Sequence, residues 1–242
     1  MNKLKNFSTS PPETFLKKEC NKELAKYKKK LFEFQNIFYA DNRFALLLIF
    51  QGVDTSGKDG TIRHVLTSMN PMGVQVKSFK KPTEEELEHD FLWRVYPHFP
   101  AKGMIEVFNR SYYEDILVPS IEKTLPEENL AHRCQLINEV EQHLGMSNIH
   151  VLKFFLHISK EVQQKRIKER LTKLSKRWKY SKDDKTAASK WGAYNDVYDT
   201  IINKCSKQAW HIIEADKRWY RNYKVAKIIT THLQSLQLKY TK

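Results

Sequence analysis

The sequence predicts an α/β fold, with a central parallel sheet covered by helices on both faces. Three observations predict it. Short apolar runs recur at 43–50, 74–79, 104–108, 149–157 and 209–214. Stretches of helical spacing separate them, at 58–69, 83–96, 129–144, 160–174, 189–206 and 218–237. The first run leads directly into a glycine-bearing loop, Gly52-Val-Asp54-Thr-Ser-Gly57-Lys58-Asp59-Gly60. Continuous apolar strands alternating with helices are the pattern of a sheet buried on both sides.

The elements follow in order. Residues 1–12 are polar and end in Pro11-Pro12, which reads as a loose arm. A helix over 13–40 follows, with Leu16, Leu24, Tyr27, Leu31 and Phe34 on its apolar side, so that residues 1–40 form an N-terminal helical arm. The five strands and the helices between them then fill the chain without a repeat or a low-complexity linker. The 242 residues suit one domain, 1–242, and are ample for a real core.

Composition narrows the class. The longest uninterrupted apolar stretch, Phe44 to Phe50, is far too short to cross a membrane. No apolar segment follows the first methionine, so no signal peptide is expected. Cys20, Cys134 and Cys205 are odd in number and widely spaced, which fits neither a disulfide framework nor a metal site and suits a reducing cytoplasm. The net charge of +14 calls for a polyanionic partner. Residues 160–190 hold twelve Lys/Arg against four Asp/Glu, so more than half of the excess lies in one segment between the fourth and fifth strands. That segment reads as a basic helical lid.

The loop carries the chemistry. Gly52-x-x-x-x-Gly57-Lys58 has the spacing of a P-loop, whose backbone N–H groups cradle phosphates while Lys58 reaches the transferring group. A hydroxyl for Mg²⁺ is expected after the lysine; here Asp59 stands there, and Asp54 lies inside the loop. Asp54 is therefore the candidate metal ligand, and Gly60 and Asp59 are counted with the phosphate cradle, Asp59 being open either to a metal role like that of Asp54 or to favouring the first turn of the helix through its macrodipole. The third strand ends in Asn109-Arg110-Ser-Tyr-Tyr-Glu114-Asp115. An acidic residue at this strand end commonly holds Mg²⁺. With Asn109 there instead, Glu114 becomes a second metal candidate and Arg110 a bidentate phosphate partner. Arg166 and Arg170 lie four apart, on one face of a helix, with Arg177 and Lys179 beyond them. Lys77 and Lys80, at the end of the second strand, line a path for an anion, and Arg94 is a phosphate-binding candidate as well as a salt-bridge candidate. Asp216 and Lys217 follow the last strand, on the loop that often touches a nucleotide base in this architecture.

These residues resemble the family 2 polyphosphate kinases. The resemblance rests on the P-loop segment 52–60, on Phe108-Asn-Arg-Ser-Tyr-Tyr-Glu-Asp115, on the run through Arg177-Trp-Lys179, on Leu87-x-His-Asp-Phe-Leu-Trp-Arg94 and on Ala215-Asp-Lys-Arg-Trp-Tyr220, in order over about residues 15–235. It implies a thymidylate-kinase-like three-layer α/β/α P-loop fold with a helical lid at about 160–190. It also implies phosphoryl transfer between inorganic polyphosphate and nucleotides with Mg²⁺ or Mn²⁺, and assembly as a homodimer or homotetramer. Asn109, where many members have Asp, resembles the third subgroup, which acts on both nucleoside mono- and diphosphates. The implied reaction is AMP to ADP to ATP, with guanine nucleotides as further candidates and neither nucleic acid nor membrane as partner. Asp54, Lys58, Arg110, Arg166 and Arg170 are then the catalytic set, with Asn109, Arg110, Glu114, Asp216 and Lys217 toward the nucleotide. Two other classes compete: an ATP-dependent nucleoside monophosphate kinase, against which the charge of the lid counts, and a basic nucleic-acid-binding module, which leaves the P-loop unexplained.

Overall fold

The computed structural model describes residues 3–178, 189–205 and 207–240. Strands β1 (Ala45–Gln51), β2 (Val74–Ser78), β3 (Ile105–Asn109), β4 (Ile149–His157) and β5 (Trp210–Glu214) form one sheet in the order β2-β3-β1-β4-β5. Every pairing is parallel, with Phe50 opposite Asn109 and Gln51 opposite Phe155. Ala45 to Gln51 are all buried, which is why this strand reads as a continuous apolar run rather than an alternating one. The strands lie within a residue or two of the sequence reading.

Handedness arranges the helices. The chain leaves β1 in one direction for β2 and later crosses back from β3 to β4 on the other side of β1. Right-handed crossovers therefore place their helices on opposite faces. One layer holds α1 (Lys17–Asp41), α2 (Lys58–Leu66) and α9 (Arg218–Ser235), which pack on one another. The other holds α4 (Glu114–Glu122), α5 (Glu127–Met146) and α8 (Trp191–Lys204). The reversal of direction leaves a crevice at the carboxyl end of β1, where ligands bind in open α/β sheets. Between β4 and α8 come α6 (Lys160–Thr172), capped by Ser159 Oγ on the Val162 amide, and the single turn α7 (Leu174–Arg177). The remainder of the basic segment, Lys179 included, lies outside the described residues.

Three elements differ from the reading. The helix expected over 83–96 is only α3 (Glu84–Glu88), opened by a Thr83–Glu86 capping box. Beyond it, Asp90 Oδ1 accepts from the Leu92 amide at 2.9 Å, a local turn that competes with the helix, and the chain passes into a 3-10 turn at Tyr96–His98. Helix α4 is missing from the helices read in sequence, and Pro119 lies inside it. The carbonyl that Pro119 leaves without a helical donor is that of Asp115, and Arg133 Nη1 donates to it at 2.6 Å. Residues 3–10, expected as a loose arm, are tied down. Leu4 is buried in the core and its amide donates to Asp199 Oδ1 at 2.6 Å.

Candidate active site

The P-loop conformation follows from its glycines. Gly52 has φ +144°, and a Cβ there would fall 2.8 Å from the Leu156 carbonyl oxygen. Gly57 has φ +104°, and a Cβ there would fall 2.0 Å from Arg221 Nη1. Only glycine fits either position. α2 starts at Lys58, so its free N–H groups and dipole face the loop. Lys58 Nζ is buried and donates to the Gly52 and Val53 carbonyls at 2.7 and 3.4 Å. Burial and the neighbouring Arg110 charge lower its pKa to about 8, against the opposing pull of Asp54, Glu114 and Asp59.

Arg110 sits where β3 ends. Its φ is +63°, a left-handed backbone for a non-glycine residue, held by its amide on the Phe50 carbonyl at 3.0 Å. Its guanidinium meets Asp54 Oδ1 at 2.5 Å and Glu114 Oε2 at 3.3 Å. Burial alone would raise the Asp54 pKa, but the charges of Arg110, Lys58 and Arg170 outweigh it and hold the carboxyl below its ordinary value. Asn109 Nδ2 donates to Asp59 Oδ1 at 2.9 Å, joining the end of β3 to the first turn of α2. The structure thus brings Asp54, Lys58, Asp59, Asn109, Arg110, Glu114 and Arg170 to one crevice.

Other predicted residues go elsewhere. Arg94 is buried and satisfied by Glu86 at 3.3 Å, Asp115 at 3.2 Å and the Lys80 carbonyl at 3.0 Å, so it ties α3 to α4 rather than facing phosphate. Arg166, expected in the catalytic set, donates to the carbonyls of Thr55 and Ser56, both at 3.0 Å, and to those of Ala215 and Asp216 at 2.9 and 3.0 Å. It holds the P-loop against the loop after β5. Asp216 is occupied by protein donors on both oxygens, and Lys217 is the N-cap residue of α9. Lys77 is half-buried, with its ammonium 5.8 Å from the Phe79 ring centroid. Lys80 and Arg177 are exposed.

Several residues at the site escaped the reading. Arg221 is buried beneath the P-loop and donates to the Ser56 carbonyl at 3.2 Å; burial, with Arg166 and Arg218 nearby, lowers its pKa to about 9. Its sequence signal was Gly57, whose missing side chain makes room for it. On α8, burial and the Asp54 and Glu114 charges push Tyr194 up to about 12, and burial with the Glu114 charge raises the Tyr198 hydroxyl as well. Behind the crevice Lys153 donates to Glu141 at 2.6 Å, to Tyr113 Oη at 2.8 Å and to the Cys205 carbonyl at 3.0 Å. Glu141 Oε1 accepts from Tyr112 and Tyr113 at 2.8 and 2.6 Å. This wholly buried network anchors the turn that presents Arg110.

Among the described residues no three His, Cys, Asp or Glu side chains gather into a metal cage. The oxygen donors still suit a hard cation held largely by water and substrate phosphates. Asp54 and Glu114 lie on either side of Arg110, and beside Glu114 the buried Gln51 Oε1 has no hydrogen-bond partner.

Fold and crevice together define a P-loop phosphotransferase. A family model described as Polyphosphate kinase 2 (PPK2) matches residues 15–241. The chain is 41% identical over 219 residues to the AMP/ADP-polyphosphate phosphotransferase of Meiothermus ruber, an alignment covering 90% of this chain and 82% of that one. It is 39% identical over 225 residues to the ADP-polyphosphate phosphotransferase of Rhodopseudomonas palustris, covering 87% and 78%. The crystal structure of polyphosphate kinase 2 from Arthrobacter aurescens TC1 superposes with a TM-score of 0.93 at 38% identity, covering 97% of this chain and 85% of that one. The chain belongs to the polyphosphate kinase 2 family, and membership implies a divalent metal cofactor.

Proposed function

We propose that the chain transfers phosphoryl groups reversibly between inorganic polyphosphate and adenine nucleotides, converting AMP to ADP and ADP to ATP with Mg²⁺ or Mn²⁺. One observation carries the reading: the Arg110, Lys58 and Arg170 charges converge on Asp54 at the mouth of the P-loop. Two polyanions must meet there. A pair of unit charges about 4 Å apart repels by about 1 kcal/mol in water and about 4 kcal/mol at an effective dielectric near 20. The cations offset that repulsion where the site dries.

In the proposed step an ionised oxygen of the acceptor's terminal phosphate bonds to the end phosphorus of polyphosphate. The bridging P–O bond breaks, and the shortened polyphosphate leaves as an anion. No proton moves, so no general base is needed. Gly52, Gly57 and Gly60 let the loop amides approach the donor, Lys58 neutralises the transferring group, and Arg110 and Arg170 hold the equatorial oxygens. Asp54, with Glu114, would hold a divalent cation that supplies charge to the phosphate oxygens when bound. Lys77, Lys80 and Arg177 line the polyphosphate path, and Asn109 with Arg110 faces the acceptor. Guanine nucleotides as further acceptors and a homodimer or homotetramer belong to the same reading and rest on the family resemblance, and a cytoplasmic location rests on the three widely spaced cysteines.

Lys58→Ala and Asp54→Ala are expected to abolish transfer from polyphosphate to AMP while keeping a cooperative unfolding transition. Turnover retained in a folded Asp54→Ala protein would contradict the role given to that carboxylate.

A further inference from the structure

A nucleotide donor on a P-loop lays its phosphates along the loop and seats its base beyond it, toward the loop after the last strand. In this chain one side chain bridges the two loops. One Arg166 guanidinium reaches both, donating to Thr55 and Ser56 on one side and to Ala215 and Asp216 on the other, all at 2.9–3.0 Å. Four carbonyls converging on one planar cation set the gap at the width of that cation.

The loop after β5 is closed from its other side as well. Asp216 Oδ1 accepts from the Ser159 amide and hydroxyl at 2.8 and 3.2 Å. Oδ2 accepts from Thr9 Oγ1 and Ser10 Oγ at 2.8 and 3.3 Å, and the Asp216 amide donates to the Thr9 carbonyl at 3.0 Å. A carboxylate has about four acceptor positions, and these donors take up all of them. None is left for a base or a ribose. The segment is itself fixed by the buried Leu4.

We infer that Arg166 and the Thr9–Ser10 segment, acting through Asp216, close the base slot of the donor position and restrict that position to base-free polyphosphate. Thr9, Ser10 and Asp216 are specificity-determining positioning residues; they touch no reacting atom. The inference rests on the proposed function, since it assigns the P-loop to the donor.

The test compares inorganic tripolyphosphate with ATP as donors to AMP, in protein freed of polyphosphate. In the wild type, kcat/KM for tripolyphosphate is expected to exceed that for ATP by at least about 100-fold. Asp216→Ala, and separately Thr9→Ala/Ser10→Ala, are expected to narrow that ratio by about tenfold or more. An anchor with only a structural role would lower both donors equally, and an unchanged ratio in folded variants would overturn the inference, as would equal use of the two donors by the wild type. Equilibrium dialysis reads the slot without turnover: one ATP per chain is expected in the wild type and two in Asp216→Ala. Two in the wild type would overturn the inference. Failure of long-chain polyphosphate to support any transfer would strike the functional reading alone, because the dialysis count still decides whether the slot is closed.

Discussion

Arg110 is the residue on which the crevice turns, because it spans Asp54 and Glu114 from a strained left-handed backbone. Arg110→Ala is expected to lower kcat with AMP and polyphosphate by about 10³-fold or more, the scale of an arginine that stabilises phosphoryl transfer. A loss under tenfold in steady-state assays would remove it from the transition state. Lys58 adds a pH dependence. Its pKa of about 8 in the free protein means that raising the pH through that value discharges the ammonium, so kcat/KM for polyphosphate is expected to fall on the alkaline side. The effect on stability has the opposite sign. The folded value lies below the ordinary lysine value of 10.5, so the unfolded chain holds more protons between the two, and this group's contribution to stability rises across that window. Denaturant titrations at pH 7 and 10 should show that slope in the wild type and lose it in Lys58→Met. Asp54, Lys58 and Arg110 were legible in sequence because a P-loop and a strand-end turn are local backbone devices. The partners of Arg166 and Asp216 were not, and for Arg94 only the salt-bridge alternative was. Their charges are spent on partners elsewhere in the fold, over a hundred residues away for Arg166 and the P-loop, and no spacing rule reports where a long side chain ends.

At the scale of elements, the strands and most helices were legible because burial on both faces writes itself as apolar runs. α4 and the 83–96 segment were not, since tertiary partners decide them: Arg133 replaces the hydrogen bond that Pro119 forfeits, and Asp90 turns the chain early. The Lys153–Glu141 pair joins β4, α5, the Tyr112–Tyr113 turn and the end of α8. Glu141→Gln leaves the buried ammonium without its counter-charge. It is expected to cost about 3–5 kcal/mol of unfolding free energy, the cost of breaking a buried pair from one side. Chemical denaturation measures this, and a change below about 1 kcal/mol would show that the network is dispensable. Since the network also sets the Arg110 turn, kcat at a temperature where the variant stays folded is expected to fall as well.

For the whole molecule, the charge of +14 and pI near 9.5 are the properties most relevant to a polyanionic substrate. Basic surface draws such a substrate in by long-range attraction that salt screens, with a Debye length of about 10 Å at 0.1 M and about 3 Å at 1 M. Raising the monovalent salt is therefore expected to raise KM for long-chain polyphosphate severalfold while moving kcat little. Equal salt sensitivity of KM for AMP would contradict this division of labour. Sequence alone announced the polyanion through the basic segment, but the closed base slot emerged only when residues 9–10, 159, 166 and 216 met in space. The central claim is that polyphosphate is the donor to both acceptors. It is tested most directly by mixing the purified protein with Mg²⁺ and polyphosphate, adding AMP or ADP in separate reactions without ATP, and following ATP. ATP from both acceptors is the expected result; no ATP from either, in protein that unfolds cooperatively, would contradict the account.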